Sequence, residues 1–346
     1  MTKKFKIKNI DIGYDIPARI ICEIGINHNG NLDKAIDLAD KAIKAGAQII
    51  KHQTHIAEEE MSDEAKKIIP ANADEPIFSL IKKCSLNEIQ EIKLKNYIEQ
   101  KKRVFISTPF SFAAADRLNN MGVPAFKIGS GECNNYPLLK YICKFKKPII
   151  MSTGMNLLKD IEVSINILKK ARIPFVVLHC TNIYPTPSKL IKIDTIPMLI
   201  KKFPNTLIGY SDHHSSIDAC IAAISLGACL IEKHFVSSKN DKGPDVSASM
   251  NPQELNNLIK ISNKMHLFRG VKKEISLKEK STANFAFSSI VSKTDIKKNE
   301  YFSKKNLTLK RPGGGDFGPK DYEKLLGKKT NRSIKANKRI KKKMIK

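Results

Sequence analysis

CLIEKHF, residues 229–235, is the stretch on which the fold turns. It follows AISLGA (223–228), begins as a buried strand would, and ends in three ionisable side chains: Glu232, Lys233 and His234. Side chains two apart on a strand share a face. Glu232 and His234 therefore point together, and Lys233 points the other way, towards helices or solvent. The same spacing joins Ser211 to His213 in TLIGYSDH (206–213) and Lys51 to Gln53 in QIIKHQT (48–54). Five further apolar runs end in polar or Gly-rich residues: RIICEIG (19–25), VFISTPF (104–110), AFKIGSGE (125–132), PIIMSTG (148–154) and PFVVLHCTN (174–182). Helix-like stretches such as LDKAIDLADKAIKAGA (32–47) and IDACIAAISLGA (217–228) separate most of them.

Eight strand–helix units in about 250 residues indicate an α/β fold of the (β/α)8 TIM-barrel type, whose chemistry sits at the C-terminal strand ends. The alternative is a doubly wound open sheet. That fold usually carries a Gly-rich phosphate loop after its first strand, and neither GxGxxG nor GxxxxGK[ST] occurs. Four segments follow: an N-terminal hairpin (1–18), the barrel (19–268, with an insertion between 55 and 103), a charged linker (269–284) and a small, mostly β domain (285–346).

Lys and Arg number 61 against 34 Asp and Glu, a net charge of +27. The lysines are spread along the chain, and only NRSIKANKRIKKKMIK (331–346) is a dense basic block. No aromatic-interleaved basic stripe accompanies them, so specific nucleic-acid binding is not expected. A positive field does attract small anionic substrates. No apolar run is long enough for a membrane helix, and MTKKFKIKNIDIGYD lacks the apolar core of a signal peptide. Seven irregularly spaced cysteines without CxxC argue against a disulfide framework or structural zinc. A cytoplasmic enzyme is the expectation.

His213 and His234 end neighbouring strands. Two imidazoles and water make an incomplete shell for a divalent metal, open to a substrate oxygen. Two hydrogen-bonded structural histidines are the alternative. Glu232 is placed to support the metal or its waters. Lys51 and Lys127 close two strands and suit a phosphate and a carboxylate. Thr108, Ser130, Ser152 and Ser211 add hydroxyl donors, unless they are turn residues. Glu23 is either a general acid/base or the ion-pair partner of Lys51. His28, His52, His179 and His214 are assigned to loop or wall.

EIGINHNG, KHQTH, STPF, KIGSGE, STGM, HCTNIYPTP, GYSDHHSS, IEKHF and GPD, in this order, resemble the sialic acid synthase family. NLTLKRPGGG resembles that family's C-terminal antifreeze-like (SAF, β-clip) domain. The resemblance implies condensation of phosphoenolpyruvate with an N-acylated amino sugar, and a divalent metal, most often Mn2+ (Mg2+ and Co2+ being alternatives). It implies that His213 and His234 hold the metal and that Glu23 is the catalytic carboxylate. Lys51, Thr108, Lys127, Ser130, Ser152, Asn182 and Ser211 match positions that hold phosphoenolpyruvate. Gln53, Tyr184 and Asp245 match positions near the sugar. Arg311 matches an arginine given to the partner subunit in a domain-swapped homodimer. KHQTH, in place of the commoner KFQT, and GSGECNNYP resemble the legionaminic acid synthase branch, whose sugar is 2,4-diacetamido-2,4,6-trideoxymannose. N-acetylneuraminate synthesis from N-acetylmannosamine is the alternative. A metal-dependent aldolase and a non-enzymatic binding protein are more distant ones.

Overall fold

The structure, a computed structural model, describes residues 4–70, 74–270 and 272–346. The chain divides into two units, Met1–Arg269 and Gly270–Lys346. In the first, a hairpin of β1 (Lys4–Ile7) and β2 (Ile10–Gly13) precedes eight parallel strands. These are β3 (Arg19–Gly25), β4 (Ile49–Thr54), β5 (Val104–Pro109), β6 (Phe126–Ile128), β7 (Ile149–Ser152), β8 (Phe175–Cys180), β9 (Leu207–Asp212) and β10 (Leu230–His234). Each pairs with the next, and β10 pairs with β3 to close the barrel. The eight sequence runs and the eight strands coincide.

Alternation along the strands sorts side chains into two cores. Ile21, Ile49, Ile106, Ile150, Leu178 and Leu230 point inward and pack with Ile7, Ile10 and Ile12, so the hairpin plugs one end of the barrel. The Tyr14 hydroxyl ties the plug down, donating to the Thr206 carbonyl and accepting from the Ile208 N–H. Cys22, Ile50, Phe105, Phe126, Val177 and Ile231 point outward against the helices. With the N-terminal end plugged by hydrocarbon, polar inward positions remain only towards the C-terminal ends.

Two polar clusters lie on the outer side of the strands. Lys233 points away from the barrel axis but does not reach solvent; it is fully buried. Its ammonium donates to Asp212 Oδ2 and to the His214 carbonyl, both at 2.5 Å. Asp212 Oδ1 accepts from the Tyr210 hydroxyl (2.8 Å) and the His214 N–H (3.0 Å). This pair ties β10 to the turn that carries His213. Behind β4, Glu91, from the helix Glu88–Gln100, is fully buried, with His52 Nδ1 at 3.7 Å and Arg117 at 3.6 Å. Burial pushes its carboxyl from 4.5 up to about 8, against the pull of Arg117. His52 also meets His28, their Nε2 atoms 3.2 Å apart.

The second unit pairs β11 (Ser289–Ser292) with β12 (Leu307–Lys310) around Ile290, Ile296, Phe302, Leu307, Leu325, Ile334 and Ile340. The basic block is not a loose arm. Ile340 N–H donates to the Ile290 carbonyl, and Thr330 bridges to Ile345. A helix, Glu279–Ala286, spans the boundary drawn at 284–285. Among the described residues, no helix is long and apolar enough to cross a membrane.

Two stability predictions follow from the outer clusters. Lys233→Met leaves the Asp212 carboxylate buried without its cation and lowers the unfolding free energy by about 3–5 kcal/mol in urea titrations; adding Asp212→Asn restores much of the loss. Glu91 favours the fold fully below its unfolded pKa of about 4.5, and that contribution is lost as pH rises through about 8. The Tm of Glu91→Gln, relative to the parent, therefore rises between pH 5 and pH 9.

Candidate active site

One cavity of about 290 Å³ opens at the C-terminal ends of the strands. Its floor is ionic. Strand register sets Glu23 on β3 opposite Lys51 on β4, and the two form a direct ion pair. Lys51 also donates to Thr108 Oγ1 on β5 at 3.0 Å. On β6, Lys127 donates to Ser152 Oγ on β7 at 2.7 Å. Between the two ammonium groups lies Glu232 Oε1, 3.8 Å from Lys51 and 3.6 Å from Lys127. Ser211, in register with Glu232, reaches it at 3.5 Å. Both lysines are only 2% exposed. Burial pushes the Lys51 ammonium down to about 7; Lys127 adds to that, and Glu232 opposes it. An anion entering here meets two desolvated ammonium groups and three hydroxyl groups.

The turns after β6, β7 and β8 close one side. Ser130 Oγ accepts from the Gly154 N–H at 3.0 Å, and the Asn182 amide oxygen accepts from the Cys180 thiol at 3.2 Å. A Cβ at Gly154 would overlap the Asn182 side chain, so this approach requires glycine.

The other side carries the imidazoles. The rings of His213 and His234 lie 5.5 Å apart, with the Tyr184 ring tilted at 31° against His213, centroids 4.1 Å apart. His213 Nδ1 is 2.8 Å from the Thr181 carbonyl. A carbonyl only accepts, so Nδ1 carries a hydrogen; in the neutral ring Nε2 then keeps the lone pair a metal ligand needs. Burial and the neighbouring His213 hold His234 well below the ordinary histidine range, which keeps it neutral. Its Nδ1 lacks a hydrogen-bond partner and lies 3.5 Å from Asp245 Oδ2. Glu232 Oε2 is likewise buried and unpartnered. Among the described residues, no cluster of three or more His, Cys, Asp or Glu forms a complete metal cage. The donor set fits a divalent ion held by two imidazoles and completed by water or substrate oxygens.

Every site residue expected from the barrel sequence, including Gln53 and Asp245, lines this cavity. Burial pushes the Asp245 carboxyl up to about 6, opposed by His213 and Lys51. Arg311 belongs to the second unit, where it is exposed, one residue beyond β12. His179 donates instead to the Ile191 carbonyl, and His214 Nδ1 lies 2.8 Å from the Thr186 carbonyl.

Sequence reasoning missed part of the lining. Glu132 ends the quoted GSGE, and burial pushes its carboxyl up to about 7. His55 ends KHQTH, two residues beyond Gln53, and stacks on Phe110. Strand alternation continued past Gln53 would have flagged His55. Ile77, Leu80 and Ile81, from the helix Ile77–Cys84 in the insertion, join Ile26 and Pro70 in an apolar wall. Nothing local in that segment announces that it reaches the cavity.

Residues 38–274 match the NeuB family and residues 287–346 the SAF domain. The N,N'-diacetyllegionaminic acid synthase of Campylobacter jejuni is 40% identical over 331 residues, covering 93% of this chain and 98% of its own. The human N-acetylneuraminate-9-phosphate synthase is 30% identical over 322 residues, covering 92% and 90%. Among solved structures, an N-acetylneuraminic acid synthetase from Leptospira borgpetersenii aligns with a TM-score of 0.75 at 30% identity, covering 82% of this chain and 95% of that one. With the NeuB family model matched over most of the barrel unit and the SAF model over most of the second unit, the chain belongs to the NeuB family and carries a SAF domain.

Proposed function

We propose that this NeuB-family enzyme joins phosphoenolpyruvate to the open-chain aldehyde of an N-acylated amino sugar, giving a nonulosonic acid and phosphate. The observation that carries the reading is the floor: Lys51 and Lys127, both buried, flank Glu232 in the cavity that His213 and His234 also line. An anionic three-carbon substrate finds its countercharges at one end, and its carbonyl partner lies at the other.

Lys51 and Lys127 bind the phosphate and carboxylate of phosphoenolpyruvate, helped by Thr108, Ser130, Ser152, Asn182 and Ser211. His213 and His234 would hold a divalent cation, most often manganese in this family, which supplies a Lewis acid for the aldehyde oxygen. The C2=C3 π pair of phosphoenolpyruvate forms the bond from C3 to the aldehyde carbon, and the carbonyl π pair moves onto its oxygen, which is protonated to a hydroxyl. Water then adds to C2, which has become electron-poor. Cleavage of the C2–O bond releases phosphate, which takes the proton of the C2 hydroxyl, and leaves a ketone. Glu23, paired with Lys51 on the floor, takes the proton of the attacking water and returns one to the new hydroxyl.

The sugar is read from the remaining lining. Among the described lining residues, Lys51 and Lys127 are the only Lys or Arg side chains, and both are engaged by phosphoenolpyruvate. This favours an unphosphorylated sugar. The wall of Ile26, Ile77, Leu80 and Ile81 favours methyl groups over hydroxyls. Both features suit 2,4-diacetamido-2,4,6-trideoxymannose, whose product is legionaminic acid. The homodimer is proposed on the family resemblance, with Arg311 of one copy serving the sugar of the other.

Phosphate release from phosphoenolpyruvate with manganese, offering the diacetamido sugar and N-acetylmannosamine in parallel, tests the reading. The diacetamido sugar should give the higher kcat/KM. Preference for N-acetylmannosamine would make the enzyme an N-acetylneuraminate synthase, and release with neither would overturn the substrate class. His234→Ala should lose bound manganese, measured by elemental analysis, together with turnover; retention of both would remove it from the metal site. Arg311→Ala should raise the sugar KM about tenfold with manganese content unchanged.

A further inference from the structure

The geometry points to His55 as a specificity-determining positioning residue: held by Glu60 and by Phe110, it turns the amide NH2 of Gln53 into the cavity, to donate to an acyl carbonyl of the sugar. This rests on the function proposed above and adds a residue and a direction of hydrogen bonding to it.

His55 is restrained on three sides. Its Nδ1 lies 3.0 Å from each carboxylate oxygen of Glu60, the last residue of the short helix Ala57–Glu60. Its ring lies flat on Phe110, centroids 4.1 Å apart and planes at 10°. Its Nε2 is 3.1 Å from Gln53 Oε1. The side chains of His55 and Glu60 are 5% and 6% exposed. This clamp lies at the cavity itself, since Gln53, His55 and Phe110 all line it.

Hydrogen-bond roles follow from the partners. A carboxylate only accepts, so Nδ1 donates to Glu60. The atom facing Nε2 is the Gln53 amide oxygen, which only accepts, so both ring nitrogens donate and His55 is an imidazolium paired with the Glu60 carboxylate. Gln53 then has its oxygen committed and its NH2 free. A primary amide presenting NH2 complements a carbonyl oxygen, which the acetamido groups of the proposed sugar carry. Without the clamp, Gln53 can turn over and present oxygen, which complements a hydroxyl or an N–H instead. His55 and Glu60 need not touch substrate to set this choice. Other charged groups lie within electrostatic reach: Asp245 senses His55, and Glu132 senses Glu60. The variants below are therefore compared at one fixed pH.

The experiment uses the full chain loaded with manganese. It measures kcat and both KM values with the diacetamido sugar and with N-acetylmannosamine, for the parent, Glu60→Gln, His55→Asn and Gln53→Glu. Glu60→Gln keeps shape and removes the obligate acceptor, so it remains informative if His55→Asn folds poorly. Each of the first two variants should raise the diacetamido-sugar KM about tenfold, the worth of one oriented hydrogen bond to an uncharged group. The KM for phosphoenolpyruvate should stay within about twofold, and the preference between the two sugars should shrink. Gln53→Glu offers only acceptors and should be worse than either. Unchanged sugar KM values and preference in Glu60→Gln and His55→Asn, with an active parent, would overturn the positioning role and leave the function standing. A rise in both KM values together would mark the clamp as merely structural. A parent inactive with both sugars would overturn the functional reading, and the role of His55 with it.

Discussion

Ionised groups stripped of water at the mouth of the barrel are the constraint on which the rest of the structure depends. Removing an ion from water costs several kcal/mol, and the cost is tolerable only with close partners and satisfied hydrogen bonds. The floor meets that condition by strand register. Lys51 has Glu23 on one neighbouring strand and Thr108 on the other, and Lys127 has Ser152. Glu232 stands between the two cations. A barrel suits this because closure removes every edge, so each inward position has a neighbour on both sides.

The same logic extends one layer outward. Alternation puts Lys233 and Asp212 on the helix side of their strands, where a lone charge would be prohibitive, and they neutralise each other. Their bonds to the His214 backbone hold the turn after β9, and so the ring of His213, in place. Glu91 represents another solution to burial: its neighbours are too distant for strong pairing, and the carboxyl gains a proton instead.

The cavity has two parts of different origin. Its ionic end is built from strand positions, which the hydrogen-bonded barrel holds rigidly. Its far end is built from loops and from the helices of the insertion, including the apolar wall and the Glu60–His55 pair that reaches back to Gln53 on β4. Reaction chemistry common to a family belongs on the first, and discrimination among sugars on the second, because loop segments change without disturbing the sheet.

The sequence by itself determined the eight strands, their order and the inward set at their ends. Glu23, Lys51, Lys127, Ser211, His213, Glu232 and His234 were legible because a strand alternates with period two whatever surrounds it, and a polar residue closing an apolar run is visible locally. Only the tertiary structure decided the rest. That Lys233 is buried against Asp212, that Ile77, Leu80 and Ile81 face the cavity, and that residues 331–346 belong to a packed domain all depend on contacts between distant segments. No local period encodes which surface a loop or a charged segment will meet; long-range packing decides it. Glu132 lay between the two cases: its motif was conspicuous, but the raised carboxyl comes from desolvation, which exists only once the walls have closed around it.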